Sequence, residues 1–442
     1  MSWFLHSFRH GVHPPQLKRL TARLPIRRMP FPEEIVLPLR QHAGKPARLV
    51  VRVGDRVERG DAIALADGHV SVPVHASAAG TVTAIGPWPH PDGTYDTAVR
   101  IAVERYSPQA VRPRIIPEWQ GLSPEQLVAA VKDAGVVGLG GAAFPAHVKL
   151  APPRDFPIDT LVVNGCECEP YLTTDHRTMA EYPERVQLGI RIMLTSLGAR
   201  RAVIGIEWNK TDAIDEIRRT LPNDLDVTLV PLPVKYPQGA EKMLIKALLE
   251  REVPSGRLPM HVGVVVQNVG SLACIAEVFE TGMPLIERVV TVTGLGIAEP
   301  ANLIVPVGTR LRDVLAARGG LKPDAAEVIF GGPMMGLAQS NFDVPVTKGT
   351  TGVVVLSQEE VRDRRSWPCI HCGRCLDACP AFLNPQLLGA LARADRYAEM
   401  PAHHLSDCML CGCCSYVCPS NIPLSQLFSA AKARVRKLPS VA

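Results

Sequence analysis

The feature of this sequence that most constrains its fold is a pair of cysteine motifs near the carboxyl end. Both have the spacing C-x2-C-x2-C-x3-C-P, the first over residues 369–380 and the second over 408–419. Three thiolates two residues apart wrap one corner of a cubane cluster, and Gly373 and Gly412 relieve the tight backbone between them. The pattern predicts two [4Fe–4S] centres in a carboxyl-terminal unit.

The ligands of each centre follow from how two-cluster proteins share their cysteines, because the fourth cysteine of each motif binds the other cluster. We expect the first centre to be held by Cys369, Cys372, Cys375 and Cys418. We expect the second centre to be held by Cys408, Cys411, Cys414 and Cys379. Cys413 is left over; we interpret it as a packed neighbour of the second cluster, with a role as the true ligand as the alternative.

A pair of zinc sites is the competing interpretation, because C-x2-C pairs also bind zinc. A zinc site needs only four ligands and would not select the x3-C-P ending twice, so the spacing favours iron–sulfur. Thiolates that bind iron must escape disulfide formation, and we therefore expect a reducing compartment.

Composition narrows the class of protein further. The 442 residues, 46% of them hydrophobic and 21% charged, suggest roughly three globular domains and exclude wholesale disorder. A net charge of +5 over 48 basic and 43 acidic residues gives no case for nucleic acid. No apolar stretch reaches the ~18–20 residues of a spanning helix, and the start of the chain lacks a signal core. We expect a soluble chain that is not exported.

The pattern along the chain predicts a multidomain α/β and α+β protein with five segments. Residues 1–34 form a basic arm, which either wraps its own domain or docks on anionic lipid or an acidic partner. Residues 35–105 alternate short β-rich runs with Gly-Asp turns and read as an all-β unit. Residues 118–287 alternate strands and helices, which predicts a mostly parallel sheet. Residues 288–355 form a small α+β unit, and 362–442 a helical cysteine-rich unit.

Local signals place several of these elements. Ser123-Pro-Glu-Gln126 is a capping box with Pro at the first helical position, which predicts a helix start. Thr309 is predicted to cap a helix over Leu311–Ala317. The apolar run Leu161–Val163 predicts a strand.

Two loops in the α/β segment carry residues suited to a nucleotide. The glycine-rich loop, Gly138-Leu-Gly-Gly-Ala-Ala-Phe-Pro145, precedes Lys149. Glycines let backbone amides approach a phosphate closely, and a lysine supplies positive charge. An ordinary turn is the alternative, because no strand feeds this loop directly as the dinucleotide fingerprint requires.

The acidic loop, Asn164-Gly-Cys-Glu-Cys-Glu-Pro170, follows the strand at Leu161–Val163. The carboxyl ends of parallel strands are where open α/β sheets bind ligands. Acids at that edge accept hydrogen bonds from ribose hydroxyls or flavin ring nitrogens. The two loops together favour a nucleotide pocket over an ordinary turn.

These two loops resemble the flavin- and NADH-binding subunit of respiratory complex I. Over its whole length, the chain more closely resembles the RnfC (RsxC) family, the NADH-oxidising subunit of the Rnf electron-transport complex. The resemblance includes Gly11-Val-His-Pro-Pro15 near the start and the segment from Cys411 to Pro423 near the end.

The resemblance implies an FMN and NADH site made of residues from several loops. NADH is expected to stack on Phe144 and to meet Glu169. The residues expected to bind the cofactor or the substrate are Gly138, Gly140, Gly141, Phe144, Lys149, Asn164, Glu167, Glu169, Tyr236, Gly239, Glu241, Gln267, Asn268 and Ser271. No catalytic acid or base is expected.

The resemblance also implies the domain types and the physiological setting. It implies a lipoyl-like barrel-sandwich hybrid without a carrier lysine, a Rossmann-like FMN/NADH domain, a β-grasp (SLBB) domain and an α-helical ferredoxin domain. The expected activity is an ion-translocating NADH:ferredoxin oxidoreductase, with electrons passing from NADH through FMN and two clusters. The expected partners are the Rnf membrane subunits, the complex's ferredoxin-like iron–sulfur subunit and, indirectly, ferredoxin, at the cytoplasmic face of the bacterial inner membrane.

Two other functions are compatible with these motifs. A soluble NADH-dependent reductase, of the cobalamin reductase type, is built from the same modules in a different order. A non-enzymatic electron relay would keep the clusters and lose the pocket. The order found here, with the β-rich unit first and the clusters last, favours RnfC.

Overall fold

The computed structural model describes residues 6–111, 118–361 and 365–437. The arm predicted from residue 1 and the helical unit predicted over 362–442 therefore extend partly outside the described residues. Four hydrophobic units follow one another along the chain, each with its own buried core.

The amino-terminal unit consists of two small antiparallel sheets packed on each other. One has the order β2-β8-β7-β4 and the other the order β3-β5-β6, around a core that includes Ile35, Ile63 and Ile101. The strands are β2 Glu34–Pro38, β3 Arg48–Leu49, β4 Arg56–Val57, β5 Ala62–Leu65, β6 Val74–His75, β7 Gly80–Pro89 and β8 Tyr95–Val103. Short strands closing over one core are the expected barrel-sandwich arrangement.

The second unit is a parallel sheet in the order β11-β10-β9-β12 with helices around it. Its strands are β9 Thr160–Gly165, β10 Arg201–Glu207, β11 Asp226–Leu232 and β12 Val264–Asn268. Its helices are α1 Pro124–Asp133, α2 Ala146–Leu150, α3 Thr174–Glu181, α4 Pro183–Leu197, α5 Thr211–Arg219, α6 Glu241–Leu249 and α7 Val269–Thr281. The predicted capping box at Ser123 is present, with Gln126 as its partner. The carboxyl ends of β9 and β12 lie side by side.

The third unit has a mixed six-stranded sheet in the order β1-β14-β13-β17-β15-β16. Its elements are β1 Ile26–Arg28, β13 Glu287–Thr293, β14 Ala301–Pro306, α8 Leu311–Ala316, β15 Ala325–Phe330, β16 Leu337–Ala338 and β17 Gly352–Ser357. The prediction that Thr309 caps α8 is wrong: the residue before the helix is Arg310, and the Thr309 hydroxyl donates to the Pro306 carbonyl at 2.7 Å instead.

The edge strand β1 comes from the amino-terminal arm and pairs in parallel with β14. Elsewhere in the described part of the arm, the Val12 amide donates to the Tyr236 carbonyl at 2.8 Å, and the Gly11 amide donates to the Ala378 carbonyl at 3.2 Å. The arm therefore wraps its own chain and contacts three of the four units, in agreement with the first of its two interpretations.

The fourth unit is helical and contains both cysteine motifs. Its helices are α9 Arg374–Ala378, α10 Pro385–Arg393, α11 Cys413–Tyr416 and α12 Leu424–Val435. Short 3-10 turns occupy Tyr397–His403 and Leu405–Asp407, and two more, Trp119–Gly121 and Pro259–Val262, lie in the second unit. Leu388 of α10 and Phe428 of α12 are buried against each other's helices in one small core. Within the described ranges, no helix has the length and hydropathy needed to cross a membrane.

Candidate functional site

The first cysteine quartet surrounds a cavity of about 400 Å³. Cys369 and Cys372 come from the turn that leads into α9, Cys375 lies in the first turn of α9, and Cys418 comes from beyond α11. The Trp367 amide donates to the Ser420 carbonyl at 2.9 Å, which ties the start of the first motif to the end of the second. Cysteines from two separate motifs are thereby brought to one cavity, as the shared-ligand pattern predicts.

The second quartet lines a separate, smaller cavity. Its lining contains Cys379 from the first motif together with Cys408, Cys411 and Cys414 from the second. Cys413 also lines this cavity, is fully buried, and has its Sγ 4.0 Å from the Tyr236 carbonyl oxygen. Its thiol therefore packs against the second unit, which fits the interpretation of Cys413 as a neighbour.

Both quartets fit polynuclear clusters in their donor chemistry. Each cavity is lined by four or more thiols, and sulfur is the ligand that iron–sulfur clusters require. In the part of the chain that the structure describes, no three His, Cys, Asp or Glu side chains converge closely enough to hold a single metal ion.

The nucleotide cavity has a volume of about 290 Å³ and lies at the carboxyl ends of β9 and β12. The structure brings together there the following predicted residues: Gly140, Asn164, Glu167, Glu169, Tyr236, Gly239, Glu241 and Asn268. Six predicted residues do not line it: Gly138, Gly141, Phe144, Lys149, Gln267 and Ser271. Gly141 lines an adjoining cavity instead.

The glycine-rich loop is held from behind by residues that do not face the cavity. The Gly138 amide donates to the Phe144 carbonyl at 2.7 Å, and the Leu139 amide donates to the Ser271 hydroxyl at 2.8 Å. The loop's exposed tip at Gly141 has φ +103°, a conformation that favours glycine. Gly138 and Ser271 therefore shape the loop, while its tip stays open to a ligand.

The acidic loop uses its carboxylates to bind neighbouring backbone. Glu167 accepts from the amides of Asp175 and His176 at 2.9 and 3.3 Å, at the start of α3. Glu169 accepts from the amides of Met334 and Met335 at 3.1 and 2.9 Å. These bonds connect the loop to α3 on one side and to the β-grasp loop, residues 331–336, on the other.

Amide side chains complete the rim of the nucleotide cavity. Asn164 donates to the Gly239 carbonyl at 2.8 Å, and Asn268 accepts from the Ser271 amide at 3.2 Å as the N-cap of α7. Lys149 does not line the cavity itself; it donates to Glu241, which does, at 2.7 Å and to the Val266 carbonyl at 3.0 Å. The predicted positive charge is thus neutralised beside the cavity.

Among the residues of this site that were not predicted from the sequence, two are charged. Asp175 lines the cavity and accepts from Asn268 at 2.7 Å; burial, and then repulsion from Glu167, raise its pKa. Lys18 of the arm is buried and donates to the carbonyls of Glu169 and Leu172 at 2.8 and 2.5 Å. A signal for Asp175 exists, since it stands in the first turn of a helix that follows the acidic loop; Lys18 has none.

The cavity fits a flavin nucleotide by the chemistry of its lining. Amides, carboxylates and glycine backbone converge at the carboxyl end of a parallel sheet, where such ligands bind. Just below the rim, the buried Gln267 has an Nε2 with no hydrogen-bond partner among the described residues. An unused buried donor is costly unless something accepts from it.

Four family models match this chain in succession. They are the RnfC barrel sandwich hybrid domain over residues 6–105, the Nuo51 FMN-binding domain over 131–277, the SLBB domain over 289–338 and the 4Fe-4S dicluster domain over 368–422. These matches confirm the predicted fold class and the expected cofactors, FMN and two [4Fe–4S] clusters.

Similar proteins cover most of the chain. The corresponding component of a proton-translocating ferredoxin:NAD⁺ oxidoreductase complex from Clostridium ljungdahlii is 45% identical over 89% of this chain and 86% of its own. Its counterpart in a Na⁺-translocating complex from Acetobacterium woodii is 40% identical over 91% of this chain and 90% of its own. The counterpart in an ion-translocating oxidoreductase complex from Rhodobacter capsulatus is 40% identical over 97% of this chain and 83% of its own.

A solved structure shares the fold at low sequence similarity. A chain of an NAD⁺-reducing [NiFe]-hydrogenase in the air-oxidised state superposes with a TM-score of 0.50 and 20% identity, over 67% of this chain and 61% of that one. The family is shown by the identity to the relatives, which extends over most of both chains. The chain therefore belongs to the RnfC family and is an electron-transfer subunit of an ion-translocating ferredoxin:NAD⁺ oxidoreductase complex.

Proposed function

We propose that this chain oxidises NADH at an FMN held in the nucleotide cavity and delivers single electrons through the second quartet and then the first. When bound, FMN accepts two electrons as a hydride and releases them one at a time, which iron–sulfur clusters require. The proposal is supported most directly by one observation: Cys411 and Met409 of the second motif line the nucleotide cavity themselves.

The chain's own residues would hold the flavin and keep water from it. Asn164 and Asn268 offer hydrogen-bonding groups at the strand ends. Glu169 holds Met335 over the cavity by its backbone. Other predicted residues act by shaping or flanking the loops: Gly138, Gly141, Lys149 and Ser271. Phe144 does not line the nucleotide cavity, and its proposed stacking on NADH is supported by the family resemblance alone.

The order of the two clusters follows from their surroundings. Tyr236 lines the nucleotide cavity, and its hydroxyl donates to the Cys411 carbonyl at 2.7 Å, so the second quartet lies directly against the flavin site. Cys369 and Cys372 of the first quartet are exposed. An inner and an outer cluster suit a path from a buried flavin to a partner at the surface.

A pair of ligand substitutions tests this order. In Cys411→Ser, NADH should reduce neither cluster, although dithionite still reduces the first; in Cys369→Ser, NADH should still reduce the second. Electron paramagnetic resonance of the anaerobic protein distinguishes the clusters, and iron analysis checks that one cluster remains. Reduction of the first cluster by NADH in Cys411→Ser would contradict the inner–outer order.

The rim of the first quartet supports a docking role toward partners. Ile370, which lines the first-quartet cavity, is 67% exposed. Trp367, whose amide donates to the carbonyl of the cavity residue Ser420, is half exposed. Exposed apolar side chains around an exposed redox centre suit transient contact with another protein. We propose that the partner here is the ferredoxin-like iron–sulfur subunit or a membrane subunit of the Rnf complex, with ferredoxin served indirectly.

Membership in the complex also gives the proposed location, the cytoplasmic face of the bacterial inner membrane, with peripheral attachment. In detergent extracts the tagged chain should co-purify with Rnf membrane subunits, and Ile370→Lys should lower that yield several-fold at unchanged iron content. Leu258→Lys, at a residue 57% exposed on the second unit, is the matched control. Equal yields from both variants would exclude this rim as the docking surface.

A further inference from the structure

Arg288 places a buried positive charge where the β-grasp unit meets the flavin-binding unit. It belongs to β13, and only 3% of it is exposed. Burial lowers its pKa to about 10, so the guanidinium still carries its proton near neutral pH. A buried charge is costly unless hydrogen bonds and an opposite charge compensate it. The partners of Arg288 therefore indicate what this charge does.

The guanidinium of Arg288 reaches from its own unit to the glycine-rich loop. Its Nη2 donates to the Leu139 carbonyl at 3.0 Å and to the Thr350 carbonyl at 3.1 Å. Its Nε donates to the same Thr350 carbonyl at 3.3 Å. The Asp175 carboxylate, in the first turn of α3, supplies an opposite charge that counteracts the effect of burial on the pKa of Arg288. Arg288 thus connects three segments of the chain, one of which is the loop beside the nucleotide cavity.

The bond to the Leu139 carbonyl fixes the direction of the next amide. In a trans peptide the C=O and N–H bonds point in opposite directions, so a carbonyl held toward Arg288 directs the Gly140 amide away from it. Gly140 lines both the nucleotide cavity and the adjoining cavity. Its amide donates to none of the described residues. The loop therefore presents an unused hydrogen-bond donor that Arg288 orients from behind.

The charge of Arg288 also strengthens this donor. Hydrogen bonds to charged groups are stronger than neutral ones, and hydrogen bonds in series polarise one another. A second donor lies next to Gly140, because a Cβ on Gly140 would be 3.5 Å from the Asn268 side chain. Asn268 Nδ2 gives one of its two hydrogens to Asp175 at 2.7 Å. Two neighbouring donors at the edge of the cavity are thus supported by the oppositely charged Arg288 and Asp175.

The β-grasp unit contacts the same loop at a second place. A Cβ on Gly349 would lie 3.2 Å from the Ala143 Cβ and 3.4 Å from the Gly141 carbonyl oxygen, which is closer than ordinary van der Waals contact. The next residue, Thr350, is the one whose carbonyl accepts from Arg288. The unit therefore holds the loop both at its middle and at its tip.

We propose, resting on the proposed function, that Arg288 is a positioning residue for the flavin and that the β-grasp unit serves to hold the glycine-rich loop. Arg288 does not line the nucleotide cavity. It acts through the peptide between Leu139 and Gly140, which it orients and polarises so that the Gly140 amide donates to FMN. Tight binding of FMN then needs the β-grasp unit as well as the flavin-binding unit.

The affinity for FMN tests this role without any turnover. FMN is removed anaerobically from the full chain, and its rebinding is followed by the quenching of flavin fluorescence. Arg288→Met removes the charge and the donors and should raise the dissociation constant of FMN about tenfold. Arg288→Lys keeps the charge and one donor and should recover part of that loss. Excess FMN should restore NADH oxidation by Arg288→Met, because the flavin is bound more weakly and not misused.

Arg59→Met is the matched control. Arg59 is also buried and donates to two backbone carbonyls, those of Ser77 and Gln109, which lie away from the glycine-rich loop. Its loss should lower the melting temperature and leave the dissociation constant of FMN within about twofold. Equal losses of FMN affinity in Arg59→Met and Arg288→Met would overturn the proposal, and so would an unchanged affinity in Arg288→Met.

Gly349→Ala tests the same contact if Arg288→Met does not fold. The added methyl group displaces the tip of the loop, and the dissociation constant of FMN should rise about threefold. Gly86→Ala, at a position where a Cβ meets nothing within 4 Å, should leave it unchanged. Equal affinities in these two variants would contradict the role of the β-grasp unit. A wild-type protein that binds no FMN would overturn the proposed function as well.

Discussion

The carboxylates of the acidic loop accept hydrogen bonds from the protein's own backbone. Glu167 accepts from the start of α3, and Glu169 accepts from two consecutive amides of the β-grasp loop. Hydrogen bonds to ionised carboxylates are worth roughly twice those between neutral groups. The loop that the sequence offers as a ligand-binding edge is therefore also what joins the second and third units beside the flavin site.

Replacing Glu169 by Gln should weaken NADH use and leave the visible spectrum of the clusters intact. The Gln amide group cannot accept, so the Met334 or Met335 amide loses its partner and the wall shared by the two cavities loosens. Steady-state kinetics should show a several-fold higher KM for NADH, with the exposed Glu118→Gln as control. Unchanged NADH oxidation would discredit Glu169 as part of the site.

The effect of Glu169→Gln on the KM for NADH should depend on pH. Burial raises the pKa of Glu169 to about 7, so the wild-type carboxyl is ionised at pH 8 and largely protonated at pH 6. Protonation removes one acceptor from the β-grasp loop, as the Gln substitution does. The ratio of the variant's KM to the wild-type KM should fall as pH decreases from 8 to 6; a constant ratio would contradict this prediction.

Tyr236→Phe tests the contact between the flavin site and the second cluster. The change removes the hydrogen bond to the Cys411 carbonyl and should cost about 1 kcal/mol of stability. We expect FMN content to persist, the resonance signal of the second cluster to change and that of the first to stay constant. Tyr106→Phe, at a residue 97% exposed, should alter neither signal.

For single residues, the sequence predicts a role where the interacting residues lie close together along the chain. The cluster cysteines are recognisable because two-residue spacing is itself the ligand geometry. Lys18 is not, because its acceptors Glu169 and Leu172 lie more than 150 positions away and their carbonyls carry no side-chain signal. Lys149 is predicted from charge alone, and its pairing with Glu241 depends on where α6 packs.

The turns that precede helices α9 and α11 have the same backbone conformation but different neighbouring residues. Gly373 and Gly412 have φ +77° and +80°, as the cysteine motif predicts. A Cβ on Gly373 would meet nothing within 4 Å, whereas one on Gly412 would lie 2.7 Å from the Met334 carbonyl oxygen. The second motif is therefore packed against the β-grasp loop, and the first is open.

These glycines form a matched pair of substitutions. Gly373→Ala should cost about 1–2 kcal/mol from backbone conformation alone. Gly412→Ala should cost more, because the methyl group also displaces the β-grasp loop. Thermal unfolding and iron content after anaerobic purification measure both effects. Equal losses of stability and iron content in the two variants would show that the contact with Met334 does not contribute to stability.

The sequence predicts amphipathic elements better than buried ones. Helix α1 is predicted by its capping box, and the structure buries its apolar residues Leu127 and Val131 on one face. Helix α7 is not predicted as a helix, because its buried residues occupy most of its circumference and leave no periodic contrast. Its remaining signal is the N-cap Asn268, which the family resemblance assigns to the ligand instead.

In the whole molecule, one buried lysine joins three units. Lys348 of the β-grasp unit donates to the carbonyls of Pro73 and Gly135, both at 2.7 Å, in the barrel-sandwich and FMN units. Burial lowers its pKa to about 7. Three separately encoded domains thus meet at a single amine, a junction that no local pattern in the sequence indicates.

Lys348→Met should destabilise the protein by about 1–3 kcal/mol, because two buried carbonyls lose their donor. Between pH 7 and the ordinary lysine pKa near 10.5, the unfolded chain binds more protons than the folded one, so wild-type stability gains with rising pH. The melting temperature of the wild type should therefore rise from pH 7 to pH 9 relative to that of Lys348→Met. Lys322→Met, at an exposed residue, is the control. Parallel pH profiles for the wild type and Lys348→Met would contradict a lowered pKa for the buried Lys348 amine.

The strand β1 has a consequence for how the chain is made. Its parallel partner β14 lies 276 residues further along, as the pairing of Ile26 with Asn302 shows. Ribosomes add roughly 5–20 residues per second. The leading segment must therefore wait on the order of tens of seconds for the strand that completes it, while the units between are already emerging. An amino-terminal fusion that tethers or hides this segment would interfere with completion of the six-stranded sheet, long after the fused part has left the ribosome.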